Sequence, residues 1–156
     1  MIHLEGINDE TLIGVVGWSR HQALQHSSKA AVIVSTYSYW HEHELGIMDE
    51  DPGCAPHPLL GDFAPVCEEP DLGLRLIRQH QQRNHLIEIQ PDLEPWLYQL
   101  GKAVGIKPTD HSLPESHKGL HQEAKKHRKH LIAYLTACTK AGSPHLAKLA
   151  EWLRLA

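Results

Sequence analysis

The sequence predicts a mainly α-helical protein that folds as a single compact domain with one long proline-rich loop. Three observations lead to this expectation. The 156 residues fit one domain spanning residues 1–156, apolar residues recur at helical spacing in the second half, and prolines concentrate in residues 49–70. The alternative is an α+β fold with a strand near residues 30–40, where β-branched and aromatic residues are dense.

The first predicted helix begins near Asn8. An asparagine cap followed by Asp9 and Glu10 suits the positive end of a helix dipole, and the helix is expected to run to His26. Two glycines inside this stretch argue against a continuous helix, because glycine lowers helix stability.

A second helix is expected to start at the serines of positions 27–28 and to run to Leu45, with Gly46 as a left-handed terminator. A strand over AAVIVSTYSYW is the competing interpretation. The choice decides whether His41 and His43 can act together. Residues two positions apart share a face on a strand but lie about 200° apart on a helix.

Residues 49–70 are predicted to form the long loop, since they contain five prolines and two glycines. Loops of this length inside a compact domain are usually functional. Asp71 then begins a predicted helix, LGLRLIRQHQQRNHLIEI, which Pro91 ends. A shorter helix is expected from about Leu93 to Val104.

The clearest predicted helices lie in the last third of the chain. After the linker IKPTDHSLPESHKG, one helix is expected from about Glu115 to Ala141. Ser143 as a cap and Pro144 in the first turn then begin a final amphipathic helix.

Candidate metal ligands lie in the proline-rich loop and just before it. Cysteine and histidine are the ligands that Zn²⁺ favours. Five such residues are the candidates: His41, His43, Cys54, His57 and Cys67. Their spacing lacks the two close pairs that are typical of zinc sites, so the expected cofactor is either none or zinc.

Acidic residues in the same region offer a second kind of metal ligand. Carboxylates suit a hard cation, although no calcium-binding loop pattern is present and such residues usually coat a solvated surface. The acidic group consists of Glu42, Glu44, Asp49, Glu50 and Asp51.

A basic surface is the candidate partner-binding site. Residues 1–72 carry a net charge of −10 (2 basic, 12 acidic) and residues 73–156 a net charge of +6 (13 basic, 7 acidic). The halves therefore either face each other or leave the basic half for an anionic partner. The candidate contacts are Lys118, Lys125, Lys126, Arg128 and Lys129.

Two histidine features accompany this basic segment. His127 falls on the apolar face of the predicted helix and is interpreted as a buried histidine rather than a ligand. His117 and His121 stand one helical turn apart and could grip a divalent ion, but the sequence supplies no third ligand.

Motifs that would define a reaction are missing from the sequence. It contains no GxGxxG, P-loop, HExxH or GxSxG pattern, and the histidines of HEHEL are two apart where a zinc protease needs four. No apolar run approaches the ~20 residues of a membrane span, no signal peptide is visible, and the three cysteines do not form a disulfide framework. A cytoplasmic protein that does not contact membranes is expected.

The sequence therefore favours a small non-catalytic interaction or regulatory protein. Its partner would be anionic, a protein surface in preference to nucleic acid because the isoelectric point of about 6.4 is low. Self-association into a homo-oligomer is left open. The alternative function is a zinc-binding protein or a metal-dependent hydrolase.

Overall fold

The computed structural model describes residues 1–18, 22–37 and 43–155, which form a mixed β-sheet with helices on both faces. The strands are β1 (Ile2–Leu4), β2 (Ala23–Gln25), β3 (Leu45–Asp49), β4 (Phe63–Glu69), β5 (Leu74–Gln79) and β6 (His85–Ile89). The α-helices are α1 (Ile7–Val15), α2 (Lys29–Thr36), α3 (Leu93–Ala103), α4 (His117–Gln122), α5 (Ala124–Lys140) and α6 (Pro144–Leu153).

The expectation of a mainly α-helical fold is wrong, because the described residues contain this six-stranded sheet. The decisive segment is 72–89, which was predicted to be helical and instead forms the antiparallel hairpin of β5 and β6. Leu72, Leu74 and Leu76 are spaced two residues apart, which is the strand period. Strand β6 is buried along nearly its whole length and so lacks the polar alternation of a half-exposed strand.

The alternative α+β class agrees with the sheet, but its strands lie elsewhere than residues 30–40. Residues 29–36 form helix α2, whose N-cap Ser28 accepts a hydrogen bond from the backbone N–H of Ala31 at 3.3 Å. The helix prediction is therefore confirmed for these residues. Positions 38–42 lie outside the described residues.

Other predicted elements have mixed outcomes. Helix α3 and the final helix α6 are confirmed, the latter with Pro144 in its first turn. The helix predicted to reach His26 ends at Val15, followed by Gly17 with a positive φ of 101°, and β2 begins afterwards. The predicted long C-terminal helix is divided at Glu123 into α4 and α5.

The predicted loop of residues 49–70 is partly ordered into regular structure. It contains a 3₁₀ turn at Pro58–Asp62 and the edge strand β4. Pro65 lies within β4 next to a register shift, where a proline is tolerated because an edge strand does not need every N–H for pairing.

The sheet has the strand order β2-β1-β3-β6-β5-β4. Strands β2, β1, β3 and β6 run parallel to one another, whereas β5 is antiparallel to both of its neighbours, β6 and β4. The chain passes from β1 to β2 through α1 and then returns past β1 to β3 through α2. This change of direction makes the carboxyl ends of β1 and β3 a topological switch point, where ligands bind in open sheets of this type.

The helices cover the two sheet faces unequally. One face packs against α1, α3, α5 and α6 in a large core centred on Trp96 and Tyr134, which are fully buried. The other face packs against α2 through Val32 and Ile33. Gly46 of β3 permits this close approach, because an added Cβ would lie 2.5 Å from the Thr36 hydroxyl.

Within the described ranges, no helix is both long enough and apolar enough to cross a membrane.

Candidate functional site

A cleft lies at the carboxyl ends of the parallel strands β1, β3 and β6. Its volume is about 420 Å³. The acidic side chains of its lining come from the residue after β1, from the end of β3 and the loop that follows it, and from the residues after β6. They are Glu5, Asp49, Asp51, Asp92 and Glu94.

A second cavity of about 300 Å³ adjoins the first. The two cavities share Glu5, Asp49, Glu94 and His121, and the second adds Asp9 from the first turn of α1. We call the two together the acidic cleft. Carboxylates from four separate segments of the chain therefore meet at the switch point of the sheet.

The turn from β1 into α1 positions the most buried of these carboxylates. Gly6 is the N-cap of α1, and its backbone N–H donates to Asp9 Oδ2 at 2.9 Å. An acid at the third helical position satisfies the otherwise unpaired N–H groups of a helix start. The same geometry buries the carboxyl group, since Asp9 is only 6% exposed.

Burial and mutual repulsion raise the pKa values of two carboxyls in the cleft. Loss of hydration, followed by the charges of Asp49 and Glu5, raises the pKa of Asp9 to about 8. Loss of hydration and the charges of Glu94, Glu5 and Asp92 raise the pKa of Asp49 to about 7, although a hydrogen bond from the Leu93 N–H opposes this. The protein alone therefore lacks enough positive charge to ionise the cleft fully at neutral pH.

A hydrogen-bonded network of three side chains lines the same cavity as these groups. Glu94 Oε1 accepts from Asn8 Nδ2 at 3.0 Å and lies 3.1 Å from His121 Nδ1. Asn8 is 4% exposed, and its Oδ1 has no hydrogen-bond partner among the described residues. An orphaned buried oxygen beside an acidic cluster is a feature that an added cation or water would satisfy.

Cationic side chains stand at the rim of the cleft. Lys29 at the start of α2 donates from Nζ to the Glu50 carbonyl at 2.6 Å, which holds its ammonium beside the acidic lining. Lys118 of α4 is the second lysine of the lining, and its neighbour His117 also lines the cavity. The cleft thus combines carboxyl groups with lysines in its lining, an arrangement suited to a cation and an anion bound together.

The donors of the acidic cleft suit a hard cation. Carboxylate oxygens are the ligands of Mg²⁺ and Ca²⁺, and Mg²⁺ is commonly held by one or two carboxylates together with water and substrate phosphates. In the described parts of the chain, no three His, Cys, Asp or Glu side chains are already arranged to hold a metal ion. The geometry therefore fits a Mg²⁺-type site completed by its ligand better than a closed structural site.

The described zinc candidates lie in different parts of the structure, and Cys67 packs against the large core. Cys54 is exposed, and Cys67 on β4 directs its Sγ toward Glu69 Oε1 at 3.9 Å. His57 caps the following 3₁₀ turn, and His43 is exposed with a φ of 67°. His41 lies outside the described residues. Zinc binding by this set stays a prediction.

The candidate partner-binding cations divide into two groups. Lys126 pairs with Glu123 at 2.7 Å, and Arg128 pairs with Glu10 of the acidic half at 3.3 Å. Lys118, Lys125 and Lys129 are exposed. The prediction that His127 is buried is confirmed, at 9% exposure.

Sequence analysis named Asp49 and Asp51 as ligands for a hard cation but missed the other cleft carboxylates. Asp9 was interpreted as part of a helix start, and Glu5, Asp92 and Glu94 were not considered. The available signal was an acidic residue at the end of each of several short apolar runs or within a few residues after it. This signal can be used only when the strands are assigned correctly, because only then are those positions known to meet at one edge of a sheet.

Searches of protein-family models, curated proteins and solved structures return no match to this chain.

Proposed function

We propose that the protein is a divalent-cation-dependent phosphoesterase whose active site is the acidic cleft. The observation that carries this proposal is the convergence of buried carboxylates with raised pKa values at the switch point of a parallel sheet. Such a cluster is costly for folding, because it brings like charges together away from water. A bound cation would offset that cost.

Glu5 and Asp49 are the residues that would hold the cation, since both line both cavities of the cleft. Asp9 lines the smaller cavity and would add negative charge once a bound cation displaces its proton, and Asn8, whose Oδ1 is orphaned among the described residues, lines the same cavity. All of these donors are oxygens, which favours Mg²⁺ or Mn²⁺ over zinc. The hydrolase class resembles the alternative drawn from the sequence, but with a different set of ligands.

The lysines that line the cleft indicate the class of substrate, which is anionic. A phosphate group is the common anionic ligand of a carboxylate-bound Mg²⁺. Lys29 and Lys118 stand where they would contact its remaining oxygens. When bound, the cation would polarise a phosphoryl oxygen and stabilise the charge that develops on the attacking and leaving oxygens.

The test is hydrolysis of a phosphodiester with and without divalent cation. Wild-type protein should cleave the p-nitrophenyl ester of thymidine 5′-phosphate in Mg²⁺ or Mn²⁺ and lose this activity in EDTA. Asp49→Asn should lower kcat/KM by at least about 100-fold, because it removes a proposed cation ligand. Asp110→Asn, at an exposed carboxyl remote from the cleft lining, is the matched control and should retain activity. Cation-independent or absent hydrolysis by the wild type would refute the proposal.

A non-catalytic anion-binding function is the second candidate. It is supported by Lys125 and Lys129, which are exposed on α5 and have no ion pair within the described ranges. Binding through these lysines would weaken with salt but would need neither Asp49 nor a divalent cation. Titration of DNA and RNA in EDTA therefore separates the two candidates.

A further inference from the structure

The pair formed by Glu94 and His121 is the part of the acidic cleft that cation binding does not explain. Glu94 Oε1 is already engaged by two partners, at 3.0 Å from Asn8 Nδ2 and 3.1 Å from His121 Nδ1. The Glu94 side chain is 12% exposed, whereas the His121 side chain is 76% exposed. A buried carboxylate thus holds one nitrogen of an imidazole that opens to the cleft.

Three helices determine this arrangement. Glu94 lies in the first turn of α3 and Asn8 in the first turn of α1, so the carboxylate is fixed from the core side. His121 follows the fully buried Leu120, which anchors α4 beneath it. A carboxylate that orients an imidazole is the arrangement by which enzymes fix the tautomer of a catalytic histidine.

We propose that His121 is the general acid of the reaction and that Glu94 is its positioning residue, an inference that rests on the proposed phosphoesterase function. With Nδ1–H donating to Glu94, the Nε2 nitrogen remains for the substrate, and the described residues provide it with no partner. His121 lines both cavities of the cleft together with Glu5 and Asp49. A phosphate bound in the cleft would therefore lie in the cavities that the His121 imidazole lines.

The proposed step balances without any further reactant. The oxygen of a water molecule forms a new bond to phosphorus while the bond from phosphorus to the leaving oxygen breaks. In its imidazolium form, with Nδ1–H donating to Glu94 and a second proton on Nε2, His121 transfers the Nε2 proton to that leaving oxygen, so that an alcohol departs instead of an alkoxide and a neutral imidazole remains. The attacking water loses a proton to solvent, and the imidazole regains one from solvent.

Other groups of the cleft are less suited to this role. His117 lines only the larger cavity, and its ring packs edge-on against Tyr98 at 6.3 Å between centroids. Lys29 directs its ammonium to the Glu50 carbonyl. Of the cleft residues that the structure describes, His121 is the one imidazole with a carboxylate to orient it.

The test compares two leaving groups in the variant His121→Gln. The thymidine dinucleotide TpT releases an alcohol and needs a proton, whereas the p-nitrophenyl ester of thymidine 5′-phosphate releases a stable phenolate. We expect kcat on TpT to fall by about 10²- to 10⁴-fold, the usual contribution of general acid catalysis. The fall on the p-nitrophenyl ester should stay within about 10-fold, and the affinity for Mn²⁺ should not change.

The control is His80→Gln, at an exposed histidine of the β5–β6 turn. It should retain full activity on both substrates. Equal losses on both substrates, or no loss on TpT, would overturn the role of His121 while leaving the phosphoesterase proposal intact. If wild-type protein hydrolyses neither substrate in the presence of Mn²⁺, both proposals fail.

Discussion

At the scale of single residues, the acidic cleft shows a conflict between folding and the proposed activity. Asp9 is placed by a hydrogen bond from Gly6 that stabilises the start of α1, yet it is buried near Asp49 and Glu5. Stabilising substitutions are commonly available at functional sites, because such sites retain unfavourable charges for the sake of activity. Asp9 is the clearest case here.

Replacement of Asp9 by asparagine should therefore stabilise the cation-free protein at alkaline pH. The folded-state pKa of Asp9, about 8, lies above the ordinary value of 3.8, so folded protein retains a proton that unfolded protein has released. The free energy of unfolding consequently falls as the pH rises from about 4 to about 8. Asp9→Asn removes this loss, which is on the order of a few kcal/mol by pH 8.

Urea unfolding in EDTA at pH 5 and pH 8 measures the effect. The difference in unfolding free energy between the two pH values should be smaller in Asp9→Asn than in the wild type, and unchanged in the exposed control Asp110→Asn. An identical pH dependence in wild type and Asp9→Asn would show that the Asp9 carboxyl is ionised in the folded state at ordinary pH.

At the scale of elements, a helix or strand could be predicted from the sequence only where its local pattern was unambiguous. Helix α6 was predictable because Ser143 and Pro144 form a recognisable start before an amphipathic run. The hairpin of β5 and β6 was not, because a strand buried on both faces has the same apolar composition as a buried helix. The short strands β1 and β2 have three residues each, too few to show any period.

Close approach between α3 and α5 depends on Gly101. A Cβ at this position would lie 2.0 Å from the hydroxyl of Tyr134 and 2.7 Å from the Ile106 carbonyl. The Tyr134 hydroxyl is itself fixed by donation to the Leu97 carbonyl at 2.8 Å. The ring is fully buried, so it has no space into which to move.

Alanine substitutions at two helical glycines should consequently have opposite effects. Gly101→Ala should lower the unfolding free energy by about 1–3 kcal/mol or more, the usual cost of overpacking. Gly14→Ala, in α1, meets no atom within 4 Å and should raise stability by about 0.5–1 kcal/mol through helix propensity. Thermal unfolding of both variants tests this pair, and a neutral Gly101→Ala would contradict the packing described for α3 and α5.

At the scale of the whole molecule, the opposite charges of the two halves meet within the fold. Arg128 pairs with Glu10, and Lys148 pairs with Glu69 at 3.3 Å. Each pair joins the basic half to the acidic half. This observation favours the first of the two explanations for the charge asymmetry, in which the halves face each other. Ion pairs at the protein surface contribute at most about 1 kcal/mol each.

The acidic cleft itself is a property of the whole molecule and was only partly predictable. Its carboxylates lie at positions 5, 9, 49, 51, 92 and 94, which no short motif connects. They meet because three parallel strands end at the same edge of the sheet. If residues 72–89 were helical, no sheet edge would bring Asp92 and Glu94 beside the first four carboxylates.

Calorimetric titration with Mn²⁺ at pH 7 tests most directly the claim that the acidic cleft is a cation site. With pKa values of about 8 for Asp9 and about 7 for Asp49, the cation-free cleft holds protons that a bound cation must displace. The binding heats in buffers of different ionisation enthalpy should therefore report the release of about one proton per bound ion. Asp49→Asn should abolish this signal. Saturable binding without proton release, or no binding at millimolar Mn²⁺, would contradict the account.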